Sequence, residues 1–205
     1  MIPAIVLAAG KSSRMGRPKA LLPIGASGET FLTRILHVLR DAGLRRAFVV
    51  LGAEADAVRA TLPRDNDFLR IVENLDYELG QLSSLLTGLT AVEDEDEGVL
   101  AVLVTLVDLP LIPVSTVRAV LEAYDKSPGA PIVRPRRGHR HGHPAIFHCR
   151  LFEELRTANL SMGAKPVVHA HAAEEMSVDV ADEGAFTDID TPEDYERFIR
   201  PTLRA

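Results

Sequence analysis

The chain has a single cysteine, Cys149, among 205 residues. An internal disulfide is therefore excluded, and such cysteine usage fits a reducing cytoplasm. No apolar run approaches the roughly 20 residues needed to span a bilayer. The N-terminus lacks a basic region before its apolar run, which ends early at Gly10, so no signal peptide is expected. Positive charge is also in deficit: 23 Lys and Arg against 29 Asp and Glu give a net charge of −6. That balance argues against a general nucleic-acid binder, and an anionic ligand must be held by local cations. There is no paired-cysteine metal site, no Ser-His-Asp set to assemble, no internal repeat and no low-complexity linker. The expectation is one soluble domain over residues 1–205, long enough to bury a sizeable core.

What is present is strand–helix alternation. Residues 3–9 read as a buried strand, and Phe31, Leu32, Ile35, Leu36 and Leu39 as an amphipathic helix ended by Gly43. Strands are expected at Ala47–Leu51 and Leu69–Val72, with a short helix at Ala53–Leu62 between them. Leu82, Leu85, Leu86 and Leu89 make a further helical stripe. Leu100–Val107 is an eight-residue apolar run suited to a central parallel strand, followed by a helix over Val114–Tyr124. Thr191 and Pro192 read as N-cap and first residue of a last helix, through Ile199. The pattern predicts an α/β fold with one doubly wound, mostly parallel sheet. The acidic run Glu93–Glu97 reads as a solvated loop, and Pro128–Gly142 as a loop able to cover a substrate.

The segment Leu7-Ala-Ala-Gly10-Lys-Ser12-Ser-Arg14-Met-Gly16-Arg-Pro18-Lys19 carries the most chemistry. A strand runs into a small-residue loop with two glycines and several cations, a composition suited to a polyphosphate. It is not a Walker A loop, because the first Gly would fall at Ile5, nor a dinucleotide fingerprint, because Ser12 stands at the second Gly. Arg14 and Lys19 can reach outer phosphates while amides near Gly10 hold inner ones; a solvated turn with incidental cations is the alternative. Asp108 ends the longest apolar strand, where open α/β sheets bind ligands, and is placed to hold Mg²⁺. Otherwise it starts a turn before Pro110. Asp188 and Asp190 alternate and share one side of an extended segment, offering a second metal ligand, with Asp190 favoured; the alternative is that Asp190 and Thr191 only cap the last helix. Gly80 lets a ligand approach, and the helix opening near Gln81 offers Ser83, Ser84 and free amides to an anion or base carbonyl; the two serines can equally be ordinary first-turn residues. His139, His141 and His143 lie in a cationic Gly-rich stretch, read as a pocket for an anionic acceptor rather than a transition-metal site. Cys149 reads as a buried or inert thiol.

These motifs, in this order, resemble the molybdenum-cofactor nucleotidyltransferases. The opening segment matches their signature at Leu7, Ala8, Gly10, Ser12, Arg14, Met15, Gly16 and Lys19, and Ala9 and Pro18 resemble the cytidylyltransferase branch. Asn74, Tyr77, Gly80, Ser83, Ser84 and Gly88 resemble a second family motif. The resemblance implies a Rossmann-like, glycosyltransferase-A-like fold. It also implies transfer of CMP from CTP to the terminal phosphate of molybdopterin, with Mg²⁺ on Asp108 and on Asp190 or Asp188. Arg14, Lys19 and Asp108 would be catalytic. Leu7, Ala8, Ala9, Gly10, Ser12, Asn74, Gly80, Ser83 and Ser84 would bind nucleotide, together with Arg14 and Lys19. Gly142, His143 and Pro144, with residues 128–175 as the substrate-covering region, would bind the pterin. Lys165 stands where the family has Arg, which weakens its match as a phosphate grip. A molybdoenzyme or its maturation chaperone would receive the product. Rival readings are GTP as donor, a sugar-phosphate or alcohol-phosphate acceptor, a non-catalytic pterin carrier, and an interaction domain without ligand.

Overall fold

The computed structural model describes residues 2–25, 28–63 and 67–203. Strands β1 (Ala4–Ala8), β2 (Ala47–Leu51), β3 (Leu69–Glu73) and β4 (Ala101–Leu106) pair in parallel in the order β3-β2-β1-β4. The chain builds outward from β1 to β3 and returns to β4 on the other side of β1. The crevice between β1 and β4 is thus the switch point of the sheet, where ligands of open α/β folds bind. Beyond β4 the sheet continues with β7 (Ala145–His148), antiparallel to β4, then β5 (Ile132–Arg137). The short β6 (Arg140–His141) and β8 (Met176–Asp179) both pair with β5.

Alternation along β1 divides the core. Ala4, Val6 and Ala8 face a cluster built on α1 (Phe31–Asp41) and α4 (Val114–Lys126). Ile5 and Leu7 face α3 (Gln81–Glu95) and α5 (Phe152–Thr157). Helices therefore cover both faces, as buried parallel strands require. The short α2 (Ala55–Arg59) adds Ala55 and Val58 to the first cluster, and α6 (Lys165–Ala170) adds Val167 to the second. Gly88 lets α3 lie close to the sheet: a Cβ there would sit 2.7 Å from Ile5 Cγ2 and 3.0 Å from Val50 Cγ2. Gly88→Val is expected to cost about 1–3 kcal/mol by overpacking. The check is a lower urea midpoint at unchanged slope; undiminished stability would mean that α3 can lift away.

Two expected loops have a different structure. The acidic run is helical as far as Glu95, and two of its five acids are paired: Glu95 binds Arg46 and Arg70, at 3.1 and 2.7 Å, and Glu93 binds Arg156. Pro128–Gly142 contains β5 and β6 and so belongs largely to the sheet. Pro135 and Gly138 disguise that strand in the sequence. The last helix begins as expected, with Thr191 Oγ1 accepting from Asp194 N and the Asp194 carboxylate accepting from Thr191 N. Only Pro192–Asp194 (α7) is α-helical; Tyr195–Ile199 is wound more widely as a π-helix. Cys149 is half-buried, its Sγ 3.7 Å from His148 Nδ1. Among the described residues no helix is long and apolar enough to cross a membrane.

Candidate active site

The chain leaves β1 at Ala9 and enters a loop braced from within. Ser12, at φ 52°, accepts from the amides of Met15 and Gly16 on its carbonyl, both at 3.0 Å, and from the Lys19 amide on Oγ at 3.1 Å. Gly16 takes the left-handed turn at φ 74°. Met15 turns inward and packs with Phe31, Ile189, Tyr195 and Ile199. Tyr195 fastens the assembly, stacking on Phe31 and donating to the Pro23 carbonyl at 2.9 Å. This small core is what brings the C-terminal Asp188–Asp190 segment, some 170 residues away in sequence, beside the loop. Ile189 is fully buried and its amide donates to the Asp108 carbonyl at 2.8 Å. With Ile189 turned inward, its two aspartate neighbours lie on the opposite side of this segment.

The result is a compact charge cluster. Lys19, buried at 8% exposure, places Nζ 3.2 Å from Asp108 Oδ2 and in contact with Asp190 Oδ1. Arg14 Nη2 donates to the other oxygen of Asp190 at 2.8 Å and is otherwise largely exposed. Asp188 lies on the outer side, in a groove with Arg140. Partial desolvation, and then the carboxylates of Asp108 and Asp190, hold its pKa above the usual carboxylate range. Asp108 Oδ1 is buried and accepts no hydrogen bond from the described residues. A buried acceptor left in that condition is costly, and a carboxylate oxygen without a donor suits a cation. No group of three or more His, Cys, Asp or Glu able to hold a metal comes together among the described residues.

A cavity of about 390 Å³ opens beside this cluster. Leu7, Ala8, Ala9, Gly10, Ser12, Arg14 and Lys19 form one wall, and Tyr77, Gly80, Gln81 and Ser84 the other, with Asp108 and Asp190 between. Gly80, at φ 105°, turns the chain into α3. Asn74 and Ser83 stand behind this wall rather than on it. Asn74 Nδ2 donates to the hydroxyls of Ser83 and Ser84, both at 3.0 Å, and Ser83 is further bonded to the carbonyls of Asp76 and Gly80. Asn74 thus organises the turn and holds the Ser84 hydroxyl at the cavity wall, with its own O–H, unengaged among the described residues, free to donate.

A second cavity, of about 960 Å³, adjoins the first through Leu7, Gln81 and Leu106. Gly142, His143 and Lys165 line it, whereas Pro144 is buried and off its wall. The three histidines diverge. His139 is exposed at the β5–β6 turn, and His141 Nδ1 lies 2.7 Å from the Glu175 carboxylate. His143 Nδ1 donates to the Val104 carbonyl at 3.2 Å, which fixes the protonated nitrogen. Burial holds the His143 pKa below normal despite that bond and the nearby Asp108. Sequence reasoning missed Gln81, which is shared by both cavities, and the half-buried Arg134–Glu175 pair on the second, 2.7 Å apart. Burial acts to raise the Glu175 pKa, but Arg134, helped by His141 and Ser177, outweighs it and holds the group low.

A mostly parallel sheet with a braced, cationic loop at its switch point and carboxylates opposite is the arrangement of a nucleotidyltransferase domain of Rossmann-like fold. The chain belongs to the MobA-like NTP transferase domain family, whose model it matches over residues 4–175. It is 34% identical over 124 residues to the probable molybdenum cofactor guanylyltransferase of Rhodopirellula baltica, covering 60% of this chain and 56% of that protein. It is 36% identical over 121 residues to the bifunctional protein GlmU of Lactococcus lactis, covering 58% of this chain. The match spans only 24% of that GlmU. Among solved structures it is similar to Rv0371c of Mycobacterium tuberculosis, at 31% identity and a TM-score of 0.79, over 100% of this chain and 99% of that one. A second Rv0371c structure, at 31% identity and a TM-score of 0.75 over 97% of each chain, is a complex with manganese.

Proposed function

We propose that the protein transfers a nucleotidyl group from a nucleoside triphosphate, CTP by preference, to the terminal phosphate of a molybdopterin-type acceptor. The observation that carries this reading is the pair of adjoining cavities, which share Leu7, Gln81 and Leu106 and of which the smaller holds the Lys19–Asp108–Asp190 cluster: the smaller suits a nucleotide, and the larger an acceptor with a substantial body. An acceptor phosphate oxygen forms the new bond to the α-phosphorus. The bond from that phosphorus to the β-bridging oxygen breaks, and pyrophosphate leaves. The attacking oxygen is already anionic, so no strong general base is needed, and positioning with charge neutralisation provides the catalysis. Gly10 and its neighbours would cradle the β- and γ-phosphates. Arg14 and Lys19 would stabilise the departing pyrophosphate.

Asp108 fits a divalent ion, since its Oδ1 is buried without a partner among the described residues, and Asp190 would join it as a second ligand on exchanging Lys19 or Arg14. Two carboxylates with substrate oxygens and water are the usual surroundings of Mg²⁺. When bound, that ion would supply charge neutralisation at the phosphates. Tyr77, Gln81 and Ser84 line the smaller cavity and would position the nucleoside.

Ala9 and Pro18 favour cytidine through their likeness to the cytidylyltransferase branch. The guanylyltransferase named among the curated relatives favours GTP as the second reading. Pyrophosphate release with each of four nucleoside triphosphates and the isolated pterin cofactor decides between them. The expected result is turnover with CTP at least about tenfold above GTP, the scale a few pocket contacts can supply. Preference for GTP would transfer the protein to the guanylyl branch. Binding of cofactor with no turnover would make it a carrier.

A further inference from the structure

The sheet face lining the second cavity changes character along one strand. Ile132, Arg134 and Arg136 share a face of β5, because side chains alternate. Ile132 packs with Val104, Ala145 and Phe147 in the apolar core, whereas the next residue on that face is Arg134. Register then gathers polar groups there from three strands. Arg134 stands opposite Ser177, and Arg136 stands opposite both Asp179 and His141. Glu175, two residues before Ser177, completes the set. Its carboxylate is 3% exposed and accepts from Arg134 Nη2 at 2.7 Å and Ser177 Oγ at 3.2 Å, with His141 Nδ1 at 2.7 Å. Glu175, Arg134, His141 and Ser177 all line the cavity.

Stability does not ask for this arrangement. Taking an ion pair out of water is expensive, and an apolar replacement of similar volume is often neutral or stabilising. The position of the cluster is informative. β5 is two strands from β4 in the sheet, so Arg134 lies roughly 10 Å from the place where the two cavities meet beside Leu106. Of the two cavities, the Lys19–Asp108–Asp190 cluster lines only the first, whereas Glu175 and Arg134 line only the second. These residues therefore face the part of the acceptor held in the second cavity, away from the reacting cluster.

We infer that Glu175 is a positioning residue for acceptor specificity, fixing Arg134 and His141 as a hydrogen-bonding wall for the distal, non-reacting portion of the acceptor. The inference rests on the reading that the second cavity takes the acceptor. That portion carries hydrogen-bond acceptors, because the Glu175 carboxylate is taken up by its three donors and the wall offers the remaining N–H groups of Arg134. A short phosphate acceptor without such a portion would not sense the cluster.

The test uses the full chain with the isolated pterin cofactor as probe. Direct binding of the cofactor, binding of nucleotide alone by calorimetry, and pyrophosphate release are measured for native protein, Glu175→Gln, Glu175→Asp and His141→Ala. Glu175→Gln is expected to raise the cofactor Kd and KM on the order of tenfold, with kcat within about twofold and nucleotide Kd unchanged. Glu175→Asp should recover part of the loss. His141→Ala, on an exposed hairpin and tolerant of substitution, should reproduce the KM-only effect in a milder form. Equal cofactor binding by native protein and Glu175→Gln overturns the inference, as does a parallel fall in nucleotide affinity. Native protein that binds no cofactor overturns the functional reading itself.

Discussion

Asp108→Ala should abolish pyrophosphate release, lowering kcat on the order of 10³-fold or more, the upper range for loss of one preorganised charge-stabilising group. The protein should remain folded. The Asp108 carbonyl holds Ile189 through a main-chain bond that the substitution leaves in place. The side chain itself contributes little to stability, since Oδ1 is buried without a partner among the described residues and only Oδ2 meets Lys19. Removing an unsatisfied acceptor relieves a penalty of about 1–3 kcal/mol, which offsets the lost contact with Lys19. The expected signature is therefore joint: activity gone, and Tm unchanged or raised. Asp108→Asn, which keeps the shape and loses the charge, should be nearly as inactive. Near-native turnover in either variant would remove Asp108 from the chemistry. A large fall in Tm would make it a structural residue.

The residues legible in the sequence were those whose chemistry is local. The loop from Gly10 to Lys19 is contiguous, and it declares itself by composition. Asp108 follows an apolar run that could only be a central strand, and that strand is β4. Asp188 and Asp190 were readable as a pair because alternation is a local rule, and burial of Ile189 between them follows it. What the sequence hid depends on register between distant strands. Glu175 meets Arg134 across 41 positions, through the parallel pairing of β5 with β8, and neither residue belongs to a motif. β5 itself was concealed because Pro135 and the turn at Gly138 carry loop signals, while its pairing with β7 and β8 overrides them. Asn74 shows the opposite limit. Its place in a motif was visible, but whether its amide faced a ligand or two serine hydroxyls depended on how the turn before α3 closes.

Lys19→Ala should lower kcat on the order of 10²-fold, with a smaller change in substrate KM, if the ammonium acts where charge develops on the leaving pyrophosphate. The geometry makes this substitution more than the loss of one donor. Lys19 Nζ lies between Asp108 and Asp190, so its removal leaves two carboxylates facing each other without their shared counter-charge. Lys19→Met separates the effects, because it keeps the buried stem and removes only the charge. Lys19→Arg should not rescue, since a planar fork cannot occupy a point-charge position between two carboxylates. Lys19 and Asp108 touch, so their substitutions should not be additive: the double variant should be about as slow as Asp108→Ala alone. Steady-state rates for the four members of this cycle test the point. Full additivity would mean that Lys19 and Asp108 act on separate parts of the reaction. A change confined to KM would assign Lys19 to ground-state binding of the nucleotide.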